Sequence, residues 1–236
     1  MNSAAHPPSV PAAPDRSSLR QAALAHLARF GTTRHGLGQV LLRRVARWQR
    51  QAVAAGAEPD QADATARQLG GTVAQVVAEM VAAGAVDDSA FARSRVRRLT
   101  RSGRSGRAIA AHLAARGVEA QVSAQALSGD ADSTPESALS IPGHTPLNAT
   151  ERDLCAAVVL ARKRRLGPFN PAAGEDTQDP FDDDTDGGGN APRANARAKA
   201  LGVLARAGFA RDTAERVLDM DPEEAQDWLE RLKGEP

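Results

Sequence analysis

Ile109-Ala-Ala-His-Leu-Ala-Ala-Arg-Gly-Val118 and Ala200-Leu-Gly-Val-Leu-Ala-Arg-Ala-Gly-Phe209 are two versions of one unit. At a single offset Leu113 falls on Leu204, Ala114 on Ala205, Gly117 on Gly208 and Leu127 on Leu218. An apolar helical stripe that stops at Gly suits a helix whose last turn closes in the left-handed conformation, with Val118 or Phe209 packing back on it. A second helix follows each turn. With a preceding helix each unit becomes a three-helix module, and such modules stabilise one another by stacking. The expected fold is all-α, made of tandem three-helix repeats.

Further helices follow from apolar spacing. Leu19, Ala23, Leu27 and Phe30 predict a helix ended by Gly31, and Leu37, Leu41, Val45 and Trp48 predict another. Val73, Val76, Val77 and Met80 predict a third, closing at Ala83-Gly84. Asp87 or Asp88 caps a fourth, with Ala92, Val96 and Leu99 as its buried stripe. Asp221-Pro222-Glu223-Glu224 opens a last helix that buries Ala225, Trp228, Leu229 and Leu232. The expected boundaries are repeat 1 over 18–84, repeat 2 over 85–127, repeat 3 over 151–218 and a terminal helix over 219–233. Residues 1–17, 128–150 and 167–193 read as a disordered tail, a linker and an acidic disordered insertion within repeat 3. Residues 51–71 read either as an extended linker in repeat 1 or as Ala-rich helix that continues until Gly70 and Gly71 interrupt it.

Composition agrees with helix: the 236 residues hold five Phe, two Trp and no Tyr. That scarcity also argues against modules that stack bases on aromatic platforms. One Cys excludes an internal disulfide, no zinc spacing is present, and a reducing cytoplasm is expected. The N-terminal stretch lacks the pattern of a secretory signal. The longest apolar run, Leu154 to Ala161, is far short of the roughly 20 residues that cross a bilayer, so no membrane is expected as partner.

The formal net charge of +1 is a sum of opposed blocks. Residues 1–50 hold eight Arg and one acid, the stretch from Arg93 to Arg116 holds eight Arg and no acid, and residues 170–192 hold seven acids and no base. Arg43, Arg44, Arg47 and Arg50 share one helix, and Arg93, Arg97, Arg98, Arg101, Arg104 and Arg107 lie on and after another. Arg93, Arg97 and Arg101, at i, i+4 and i+8, are expected on one exposed face. The planar guanidinium makes two hydrogen bonds to carboxylate or phosphate, so these faces are candidates for an acidic protein groove or for DNA. The competing reading is plain solvation of helix faces in a chain with 27 Arg and three Lys.

Other motifs carry less. Asp182-Asp-Asp-Thr-Asp186-Gly187 opens like a calcium loop, but Arg193 stands where its bidentate Glu belongs, which leaves an acidic solvated loop and no metal. Gly103-Arg-Ser-Gly-Arg107 lacks the Lys-Ser/Thr of a phosphate loop and reads as a basic turn capped by Ser105. Cys155 reads as a small core residue, and His26 and His112 as structural. No nucleophile with a base, carboxylate pair or cofactor fingerprint stands out, so neither catalysis nor a cofactor is expected.

Ala22-Ala-Leu-Ala-His-Leu-Ala-Arg-Phe30, Val40-Leu-Leu-Arg-Arg44 and Gly84-Ala-Val-Asp-Asp-Ser-Ala-Phe-Ala92 together resemble the RecX family of regulatory proteins. The resemblance continues through Gly103-Arg-Ser-Gly-Arg-Ala-Ile109, Leu113-Ala-Ala-Arg-Gly-Val118, Leu160-Ala-Arg-Lys-Arg-Arg165 and Leu204-Ala-Arg-Ala-Gly-Phe209. It covers roughly residues 18–127 and 151–218. It implies tandem three-helix repeats in an elongated, curved arrangement, and a monomer that binds the RecA recombinase filament and inhibits RecA in recombination, DNA repair and the SOS response. Arg164 joins the candidate contact residues on this ground. The segments 51–71, 128–150 and 170–192 depart from the usual family pattern. The rival reading is a helix-turn-helix DNA-binding regulator, since three helices with a Gly turn suit that fold, although the second helices here are Ala-rich.

Overall fold

The computed structural model describes residues 10–129, 147–170 and 190–234. Among them are ten α-helices and no strand: α1 (Arg16–Leu27), α2 (Arg34–Ala54), α3 (Pro59–Ala82), α4 (Asp88–Arg101), α5 (Gly106–Ala115), α6 (Ala120–Ser128), α7 (Ala149–Arg164), α8 (Asn190–Arg206), α9 (Arg211–Asp219) and α10 (Pro222–Gly234). Contacts divide the chain into two compact units. One runs to Phe91 and includes Arg116–Val118; the other comprises Ala92–Ala115 and the chain from Glu119.

In the first unit Leu19 and Ala23 of α1, Leu37, Leu41 and Val45 of α2, and Val73, Val76, Val77 and Met80 of α3 enclose one core. Over 51–71 helix does continue, apart from residues 55–58, and the expected interruption does not occur: α2 runs to Ala54 and α3 passes through Gly70 and Gly71 without a break. Each Gly costs about 1 kcal/mol relative to Ala in a helix. Here Ala62, Ala66, Leu69, Val73, Val76 and Met80 repeat at alternating spacings of four and three, and that buried or half-buried stripe carries the helix across both. Phe30 also differs from expectation. The first helix ends at Leu27, so Phe30 lies beyond it, 57% exposed.

In the second unit α7 contributes Leu154, Cys155, Ala156, Ala157, Val158 and Ala161 to a core closed by Leu204, Phe209, Ala214, Val217, Ala225, Trp228, Leu229 and Leu232. The terminal helix buries the four residues expected of it, and Asp221 Oδ1 accepts from the Glu224 N–H at its start. Cys155 is fully buried, as expected of a core residue. Several segments expected to be irregular are ordered at their edges: Arg16 and Ser17 open α1, Leu147 is buried, Gly167–Phe169 form a 3-10 turn, and α8 begins at Asn190. The rest of the tail, linker and acidic insertion, with the calcium-like loop at 182–187, lies outside the described residues.

The repeated sequence unit makes the same joint in both units. In the first, Thr33 caps α2: its hydroxyl accepts from the Gly36 N–H at 2.9 Å and donates to the Arg116 carbonyl at 2.7 Å. The next amide, Arg34 N–H, donates to Asp88 Oδ1 at 2.8 Å. In the second, Ser105 caps α5 by accepting from the Ala108 N–H at 3.3 Å, and donates to the Ala207 carbonyl at 2.7 Å. The next amide, Gly106 N–H, donates to Asp153 Oδ1 at 2.6 Å. Both hydroxyls are buried, Thr33 at 2% and Ser105 at 0% exposure, so neither could be left without partners cheaply. Each accepting carbonyl immediately precedes the turn Gly of the repeat. Gly117 has φ +73° and Gly208 has φ +90°, which only Gly adopts without strain. A Cβ on Gly117 would meet His35 Cβ at 2.4 Å, and one on Gly208 would meet the Ser105 hydroxyl at 2.7 Å.

Candidate partner interface

Helix α2 puts its apolar residues on one side because Leu37, Leu41, Val45 and Ala52 follow the helical period into the core. Arg43, Arg47 and Arg50 fall on the opposite side at spacings of four and three, with Arg44 beside them, and all four are exposed. None makes an ion pair with a described residue. Elsewhere the chain does pair its cations. Arg16 bonds Glu79, and Arg197 donates to Asp219 through both terminal guanidinium nitrogens. Arg211 meets Glu215 at 2.7 Å, and Arg231 meets Glu151 at 3.1 Å. The hydrogen bond to Asp219 raises the Arg197 pKa, while the same bond lowers that of Asp219. Among the described residues the α2 cluster is therefore an unneutralised basic face.

The cations of α4 are arranged differently from the expected single exposed face. Arg98 and Arg101 are exposed, but Arg93 and Arg97 are half-buried. Each follows a buried residue, Ala92 or Val96, and so stands about 100° around the helix from it, at the margin of the buried stripe. A step of four residues turns the row by about 40°, which brings Arg101 into the open. Arg104 and Arg107 are exposed on the turn and first residues of α5, and Arg164 is exposed in the last turn of α7. Ser105 caps α5 as expected, so Gly103–Arg107 is a basic inter-helix turn.

Two cations that sequence reasoning did not single out, Arg162 and Lys163, are exposed on α7 beside Arg101. Lys163 Nζ donates to the Ser102 carbonyl at 2.8 Å, which ties the last turn of α7 to the end of α4. The signal was present in the run Arg162-Lys-Arg-Arg165, but its proximity to α4 and α10 is tertiary. No cluster of three or more His, Cys, Asp or Glu able to hold a metal occurs among the described residues. No helix of the described residues is long and apolar enough to cross a membrane.

An all-helical repeat protein with basic helix faces is what the fold and this surface define. Residues 87–127 match the model of the second three-helix domain of RecX. The chain is 35% identical over 204 residues, 86% of its own length and 86% of the relative's, to the regulatory protein RecX of Myxococcus xanthus. It is 30% identical over 145 residues, 61% of its length and 58% of the relative's, to the regulatory protein RecX of Agrobacterium fabrum. The chain belongs to the RecX family of regulatory proteins. No solved structure matches it.

Proposed function

We propose that this protein is a non-enzymatic regulator that binds the RecA filament in the cytoplasm and inhibits RecA activity in recombination and DNA repair. Membership of the RecX family supports the partner. The observation that carries the surface is the set Arg43, Arg44, Arg47 and Arg50, exposed and without acidic partners among the described residues. Many modest charge contacts of this kind give a salt-sensitive interaction that does not depend on base sequence. Arg101, Arg104, Arg107 and Arg164 carry the same chemistry in the second unit, and Arg98 with the half-buried Arg93 and Arg97 belongs with them.

The test is titration into RecA assembled on single-stranded DNA, followed by ATP hydrolysis. Inhibition is expected, weakening as salt rises. Replacing Arg43, Arg47 and Arg50 together by Gln should weaken it about tenfold, since each exposed charge contact contributes up to roughly 1 kcal/mol. Helicity should not change. An unchanged hydrolysis rate at every ratio of the two proteins overturns the proposal, and full inhibition by the triple variant moves the surface elsewhere.

A further inference from the structure

In the second unit a cleft of about 570 Å³ opens where α4, α7 and α10 end. Val159, Leu229 and Leu232 form its apolar floor. Arg101, Arg162, Lys163 and Lys233 form its rim, and all four are exposed. Each rim residue comes from the last turn of its helix. Cations there offset the negative end of the helix, equivalent to roughly half a charge per helix. Four full charges exceed that need. Lys163 spends one donor on the Ser102 carbonyl, and Glu230 takes one ion pair with Lys233 at 2.8 Å. The Arg162 charge also acts on Glu230, and the four cations together keep the rim net positive over an apolar floor.

That combination selects its occupant. A floor of Val and Leu offers nothing to a sugar-phosphate backbone and contains no aromatic ring on which a base could stack. It accepts an aliphatic side chain, while the rim accepts carboxylates on either side of it. We infer that this cleft docks a partner protein through an acidic segment with an apolar anchor, one or two aliphatic residues flanked by Asp or Glu. The inference does not depend on the RecA reading, because it rests on the shape and charge of the cleft alone.

The experiment uses the full chain and a fluorescein-labelled 12-residue peptide with four Glu around two Leu, read by anisotropy. Binding should fall by roughly tenfold when both Leu are replaced by Ser, and again when the Glu are replaced by Gln. The variant Arg162→Glu/Lys233→Glu should lose at least as much, and the milder Arg162→Gln/Lys233→Gln should lose less, with helicity unchanged in both. Leu42→Asp, on the exposed face of α2 in the other unit, should bind like the parent. The proposal is overturned if the peptide does not bind, if the Leu-free peptide binds equally well, or if both charge variants bind within twofold of the parent. It is also overturned if a 20-nucleotide oligothymidine binds more tightly than the peptide and is the probe lost on charge reversal, which would assign the cleft to nucleic acid.

Discussion

The joints at Thr33 and Ser105 are built alike and differ in what surrounds them. In each, a buried hydroxyl caps one helix and donates to the carbonyl before a left-handed Gly, and an Asp receives the next amide. Around the first, the Gly lies against the His35 side chain, and Asp88 sits in the first turn of α4. Around the second, the Gly lies against the Ser105 hydroxyl itself, and Asp153 projects from the second turn of α7, half-buried. What the repeats share is thus the hydrogen-bonded joint, more than the side chains around it. Burial of Asp153 raises its pKa above 3.8, with Asp212 adding to the rise and the Gly106 amide opposing it.

The largest effect should come from filling the turns. Gly117→Ala and Gly208→Ala each combine a left-handed backbone with a short contact and should destabilise by about 2 to 3 kcal/mol. Trp48 belongs to the first unit and Trp228 to the second, so denaturant unfolding followed with one Trp at a time, the other replaced by Phe, assigns each loss to its unit. The joints should then part company: Ser105→Ala removes the atom that a Cβ on Gly208 meets, so that pair should cost less than the sum of its parts. The Gly117 lesion should instead be relieved by His35→Gly.

Next come the hydroxyls. Thr33→Ala and Ser105→Ala each lose a cap and leave a buried carbonyl short of a donor, for about 2 kcal/mol in the same unfolding measurement. Thr33→Ser should recover most of it. Equal recovery by Thr33→Val would show that packing, not the hydrogen bonds, holds the first joint.

The acids separate the joints by pH. Because the folded Asp153 holds its proton more tightly than the unfolded chain, stability from this group falls as pH rises from 3.8 through the raised value and stays low above it. Asp153→Asn should therefore be relatively most stable above that window and lose its advantage below it, as read by unfolding at a series of pH values. Asp219 has the opposite sign. Its hydrogen bond to Arg197 lowers its pKa, so its contribution is present above 3.8 and lost as pH falls through the lower folded value. The pair is largely exposed, so Asp219→Asn should cost under about 1 kcal/mol, the smallest effect of the series.

Much of this architecture was legible in sequence because it is periodic or local. The terminal helix followed from Asp221-Pro222 and its apolar spacing, the two turns from Gly117 and Gly208, and the α2 basic face from Arg43, Arg47 and Arg50. Gly70 and Gly71 misled because their propensity was weighed without the stripe from Ala62 to Met80, which overrides it. Phe30 continued the spacing of α1 past the point where its backbone had already turned. The half-burial of Arg93 and Arg97 depends on how far the α4 core stripe spreads sideways. The cleft beside Arg101 brings together residues more than a hundred positions apart, and no local pattern anticipates that.

Cys155 is the only thiol in the chain, and it lies wholly inside the second unit with its sulfur 3.6 Å from the Trp228 carbonyl. A thiol reagent can reach it only when the packing of α7 against its neighbours, α10 among them, opens. The rate of labelling is therefore a clock for the opening of that unit, built into the natural sequence. A ligand seated between the ends of those two helices would slow the clock, and no engineered probe is needed to read it.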